Sequence, residues 1–167
     1  MPANIKQLAL KNIRVAASVL VLVVVVAGVF ISKELQDRSK AISSCGFRDD
    51  KTISVGAQKI QVEVASSDAA RQKGLSGRTC ITQNEGMLFT FSKAGQYSFW
   101  MQNMKFPIDM VWISPKHVVT VIQENVLPST YPDSFVNPAD HPAQYVLELQ
   151  AHRTTSLGMN PGTPIYF

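Results

Sequence analysis

Residues 15–31, VAASVLVLVVVVAGVFI, form an unbroken apolar run, and that run constrains where everything after it can fold. Seventeen residues in a helix at ~1.5 Å each cover about 26 Å, close to the ~30 Å hydrocarbon core of a bilayer. Lys6, Lys11 and Arg14 precede the run, whereas Lys33, Glu34, Asp37, Arg38 and Lys40 nearly cancel after it. The positive-inside rule then places the N-terminus in the cytoplasm and the remainder outside. The chain reads as a cytoplasmic N-terminus (1–14), a transmembrane anchor (15–31), a polar juxtamembrane stalk (32–50) and an extracytoplasmic β domain (51–167). It is expected in the cytoplasmic membrane, crossing it once. A cleaved export signal is the alternative, but its best cleavage site, Val25-Val26-Ala27, is poor and apolar residues continue past it. Ile42-Ser43-Ser44-Cys45 only loosely resembles a lipoprotein box.

The basic balance belongs to the anchor. Residues 1–40 carry six Lys/Arg against two acids, and residues 41–167 carry ten of each. With no basic stripe and no interleaved aromatics in the domain, nucleic acid is not an expected partner. Two cysteines, Cys45 and Cys80, in an exported domain are candidates for a disulfide; two unpaired thiols are the alternative.

Short strand-like segments dominate the domain. Ile60, Val62 and Val64 alternate with Gln61 and Glu63, the period-two pattern of a half-buried strand, and pair naturally with 52–55 as a hairpin. Ser66-Ser67-Asp68 starts a helix that Gly74 ends. Further strands are expected at 87–91, 96–101, 108–113, 117–123, 144–150 and 163–167, most of them separated by turn signals. This spacing argues for a mainly β domain, a compact antiparallel barrel or jelly-roll-like sandwich with one short helix. Residues 127–142, LPSTYPDSFVNPADHP, make one long proline-rich loop that Tyr131 and Phe135 are placed to pin.

No familiar catalytic motif occurs. His117, His141 and His152 lack ligand spacing and neither cysteine lies in a C-x-x-C pair, so no metal and no cofactor are expected. The dense region is 86–113, with both tryptophans and four methionines, where core packing is the first reading. Asp109 stands out there. In strand phase it shares a face with Val111 and Ile113, and an ionised carboxylate on that face needs a partner. Arg71 and Arg78 are the expected partners, and Trp100 and Asn103 add donors nearby. Glu148, between Leu147 and Leu149, points to the other face from them and either joins this cluster or meets water. The cluster reads as a structural ion pair or as a ligand pocket.

The same residues carry a family likeness. Arg71, Gly74-Leu75, Arg78, Gly86-Met87-Leu88-Phe89, Phe99-Trp100-Met101 with Asn103, Pro107-Ile108-Asp109, and Ala143 with Tyr145-Val146-Leu147-Glu148-Leu149 occur in one order. Together they resemble the uncharacterised bacterial and archaeal family called domain of unknown function 192, over about 52–167. The likeness implies a compact β-barrel or jelly-roll-like domain with one short helix, exported or membrane-anchored, and no particular reaction. Met104 stands where Thr is usual, and the proline-rich loop lacks the cysteine–proline pairs of many members.

Three functions compete on this basis. The first is a non-catalytic, membrane-tethered binding or accessory module, with Arg71, Arg78, Trp100, Asn103, Asp109 and Glu148 as ligand-binding candidates and an envelope saccharide or other small molecule as ligand. The second is an envelope hydrolase or transferase using Asp109 and Glu148 as a carboxylate pair. The third is a structural partner in a membrane complex.

Overall fold

The computed structural model describes residues 25–33 and 45–167, which fall in two compact units, 1–43 and 44–167. In the first, residues 25–33 are helical. No helix among the described residues is long and apolar enough to cross a membrane; most of the expected anchor, 15–24, and most of the expected stalk, 34–44, lie outside them.

The second unit is mainly β. Strands β1 (Lys51–Val55) and β2 (Gln58–Ala65) form the expected hairpin, with Ile53 opposite Ile60. Helix α1 (Asp68–Lys73) follows. The Ser67 side chain accepts from the Ala70 amide at 3.2 Å, and Gly74, at φ +49°, ends the helix by donating its own N–H to the Ala70 carbonyl. Strand β3 (Glu85–Gly95) then pairs with β2 in parallel, Val62 beside Gly86. This departs from the all-antiparallel sheet that the strand spacing predicts. A parallel pair needs a crossover of a dozen or more residues, and the segment from Ser66 to Asn84, with α1 inside it, supplies one.

Strands β4 (Ser98–Trp100), β5 (Ile108–Ile113), β6 (Val119–Val126), β7 (Ser134–Val136), β8 (Ala143–Gln150) and β9 (Ile165–Tyr166) complete the set. Seven of them make one sheet in the order β6-β5-β8-β3-β2-β1-β9. This sheet curls until its two edges touch at one end. Val118 bridges Pro164, Val119 donates to the Thr163 carbonyl at 2.9 Å, and Ile165 donates to the His117 carbonyl at 2.8 Å. The result is a curled half-barrel, short of the closed barrel or two-layer sandwich expected.

Alternation along the strands builds two cores. One face gathers Ile53, Ile60, Val62, Leu88, Val111, Leu147 and Leu149. The other gathers Met87, Phe89, Met110, Trp112 and Val146, covered by Leu75 beyond α1 and by Phe99 of β4. The centre of the sheet is thus buried on both sides, and there Asp109 and Glu148, each between two apolar residues, are kept from water.

The proline-rich loop is more structured than its composition suggests. It opens with a short 3-10 turn (Pro128–Thr130) and contains β7, which pairs with β4 as a separate two-stranded sheet. Fully buried Asn137 anchors it: its amide donates to the carbonyls of Gly95 and His141, and its oxygen accepts from the Tyr97 amide at 2.8 Å. Cys45 and Cys80 form a disulfide, with α-carbons 5.5 Å apart, that fastens the segment before β1 to the loop after α1.

Candidate functional site

A cleft of about 280 Å³ opens between α1 and β4 on the face of the sheet that carries Phe89. Its geometry follows from the crossover. Residues 68–76 run over the sheet and form one wall, and Ser98, Phe99 and Trp100 form the other. One glycine permits this close approach: a Cβ on Gly74 would meet the Phe89 ring at 3.3 Å. Gly86 is tight on the other face of the sheet, where a Cβ would meet Leu149 at 2.9 Å.

The sheet side and the β4 side of the cleft are aromatic. Phe89 and Phe99 meet edge to face at 4.8 Å, and Phe91 stacks on Tyr97. Trp100 is 44% exposed and stands at the rim. Arg71 also lines the cleft, 5.2 Å above the Phe91 ring. Its guanidinium is already engaged, pairing with Asp68 and donating to the Thr90 carbonyl at 2.8 Å.

Glu148 is the one deeply buried ionisable group in the lining. Only 5% of it is exposed, and among the described residues its Oε2 has no hydrogen-bond partner. Beside it on the same face lie Met87 and Met110, its cross-strand neighbours. Burial pushes the carboxyl up to about 8. Near neutral pH it is mainly the neutral acid, with an O–H to give and a carbonyl to accept.

Of the six candidate residues, the structure brings Arg71, Trp100 and Glu148 together and disperses the other three. Asp109 is fully buried as its strand phase required, but the expected arginine pairing is wrong. Its Oδ1 accepts from the amides of Asn125 (2.8 Å) and His152 (3.0 Å), and its Oδ2 from the amide (2.9 Å) and hydroxyl (2.7 Å) of Thr154. Both arginines lie elsewhere. Arg78 donates to both oxygens of buried Glu63, at 2.7 and 2.8 Å, and Arg71 sits at the cleft. Asn103 takes a left-handed turn, φ +58°, and its carbonyl accepts from the Gly77 amide; it does not line the cleft.

The carboxylate-pair reading is corrected by register. Asp109 lies opposite Leu149, and Met110 lies opposite Glu148. Cross-strand partners share a face and successive residues alternate, so the two acids face opposite sides of one sheet. They cannot flank one substrate bond.

Phe89, Phe91 and Tyr97 escape a sequence reading as site residues, although their aromatic clustering is visible in it. Thr154 and Glu63 escape it as partners. A helix of four residues, α2 (Arg153–Ser156), presents Thr154 to Asp109, and its sequence RTTS carries no periodic signal.

A mixed, curled sheet with an aromatic cleft beneath a crossover helix thus defines a small β module with one candidate ligand site. The chain belongs to the family DUF192, described as Uncharacterized ACR, whose model matches residues 51–167. Solved structures similar to it include a protein from Sinorhizobium meliloti described as a candidate transcription regulator, with 29% identity and a TM-score of 0.62 over 68% of this chain and 88% of that one. A protein of unknown function from Novosphingobium aromaticivorans is similar at 29% identity and a TM-score of 0.62, over 70% of this chain and 84% of that one. No curated protein matches the chain.

Proposed function

We propose that residues 44–167 are a non-catalytic binding module that takes a small ligand in the cleft between α1 and β4. Glu148 is the polar anchor at its base and Trp100 the stacking wall at its rim. The observation that carries this reading is the unpartnered Oε2 of Glu148, a buried residue that lines the same cleft as five aromatic side chains. A buried polar atom without a partner costs stability, and a ligand that fills the cleft and donates to it would recover that cost. The exposed indole of Trp100 suits the flat face of a sugar ring, and an envelope saccharide is the ligand class we favour. Binding is favoured over hydrolysis because, among the described residues, the only other carboxylate in the lining, Asp68, is exposed and paired with Arg71.

The apolar run 15–31 supports a membrane tether, with the module on the outer side. The even charge of residues 41–167 gives no support for carrying over the regulator description of the Sinorhizobium protein.

Thermal melts of the full chain against a panel of soluble envelope saccharides and their monosaccharide units test the reading. At least one should raise the melting temperature of the wild-type chain and leave Trp100→Ala unmoved. A panel in which nothing shifts the wild-type chain, or in which Trp100→Ala responds equally, rejects the cleft as the site.

A further inference from the structure

We infer that the ligand of this cleft carries a positively charged amine, seated on the Glu148 carboxylate among the rings of Phe89, Phe99 and Trp100. This deepens the binding reading and rests on it. The cleft already holds what an organic cation needs and a neutral ligand does not. Five aromatic side chains line it, at positions 89, 91, 97, 99 and 100, and ring faces attract cations through their quadrupole. Its base holds a carboxyl for which the described residues supply no counter-charge.

Arg71 does not fill that role. It lines the same cleft, yet it pairs with Asp68 and donates to the Ser66 and Thr90 carbonyls, and it forms no ion pair with Glu148. The other charged or titratable groups facing the cleft are Lys73 from α1 and Tyr97 from the turn before β4. Strands β3 and β5 present only Met87 and Met110 beside Glu148.

A hydroxyl donated to Glu148 would make an ordinary hydrogen bond with a neutral acid. An ammonium would displace the proton to solvent and make a charge-assisted bond, roughly twice as strong. An amino sugar meets both demands of the cleft, a ring face for Trp100 and a cation for Glu148.

The test uses the full chain with methylammonium, a primary ammonium that stays charged across this range, and glucose as a neutral ring, followed by titration calorimetry at about pH 6 and about pH 9. A cation that needs the ionised carboxylate binds more tightly as pH rises, tenfold per unit below the point where Glu148 titrates, and levels off above it. Methylammonium should therefore gain on the order of a hundredfold in affinity between those two pH values. Glu148→Gln, similar in shape and never charged, should lose that gain, and Trp100→Leu, at the exposed rim, should weaken binding severalfold at high pH.

Binding of glucose without methylammonium overturns the amine and leaves the cleft as a ligand site. So does cation binding that is independent of pH or kept in Glu148→Gln. Failure of both probes at millimolar concentration overturns the amine and the binding reading together.

Discussion

Asp109 and Glu148 occupy neighbouring strands one register position apart, yet one faces the Leu147–Leu149 core and the other the Phe89 core. Two buried acids so close in the fold have opposite circumstances. Four donors meet Asp109, and the Oε2 of Glu148 meets none among the described residues. The first ties a loop and a helix to the sheet; the second is the one that a ligand would engage under the binding reading proposed above.

Asp109→Ala should be among the most damaging single changes in the domain. It strands the buried amide of Thr154, at about 1–3 kcal/mol for an unmet buried donor, and also breaks the part-buried bonds from the amides of Asn125 and His152. A loss of at least about 3 kcal/mol in urea unfolding is expected. Because neither Arg71 nor Arg78 partners Asp109, removing either as well should recover nothing. Recovery in the double variant would restore the ion-pair explanation.

Glu148 makes stability depend on pH. Its carboxyl sits at about 8 in the fold against 4.5 in the open chain. Between those values the folded chain holds a proton that the unfolded chain has released, so stability falls as pH rises from about 4.5 and levels off above about 8. Glu148→Gln should abolish this slope and be the more stable chain at about pH 9. The gain is up to roughly 5 kcal/mol, at ~1.4 kcal/mol for each pH unit crossed. Parallel melts of the two chains across that window decide it; equal slopes would mean that the carboxyl is solvated.

Breaking the Cys45–Cys80 disulfide should destabilise the domain. The two residues are 35 apart in sequence, and closing a loop of that length removes enough freedom from the unfolded chain to contribute about 3–4 kcal/mol. Urea unfolding with and without reductant, and of Cys80→Ser, should differ from the intact chain by that order. Coincident curves would show that the crosslink does not stabilise the fold.

The fragment 44–167 should fold without the residues before it, since its strands, both cores and the disulfide are internal to it. A circular dichroism spectrum without β signal would contradict this. Topology is tested on the full chain: a phosphatase reporter fused after Phe167 that works only outside the membrane should be active, and an inactive, stable fusion would reverse the orientation.

Much of the fold is legible in the sequence because its signals are local. The alternation in β2, the Ser67 and Gly74 caps and the strand at Ile108–Ile113 all follow from adjacent residues. The parallel β2–β3 pair is not legible, because strand direction is decided by where a crossover lands. Strand β7 is hidden by the prolines around it. The candidate site is half legible. Arg71, Trp100 and Glu148 each stand out separately, but placing them together requires both faces of the sheet to be buried. A single buried face is the simpler assumption, and it leaves Glu148 undecided between cluster and solvent.

The meeting of the sheet's two edges at Val118 and Pro164 has a consequence for how this chain behaves in company. An open strand edge is a template on which other chains can polymerise. Here that template is occupied at one end by the protein's own last strand. Along the rest of β6, Gln123, Glu124 and Asn125 are exposed, Asn125 is turned to φ +50°, and the register slips near Ile108. Charge and irregular geometry blunt what closure leaves open. The domain should therefore resist stacking into fibrils at high concentration.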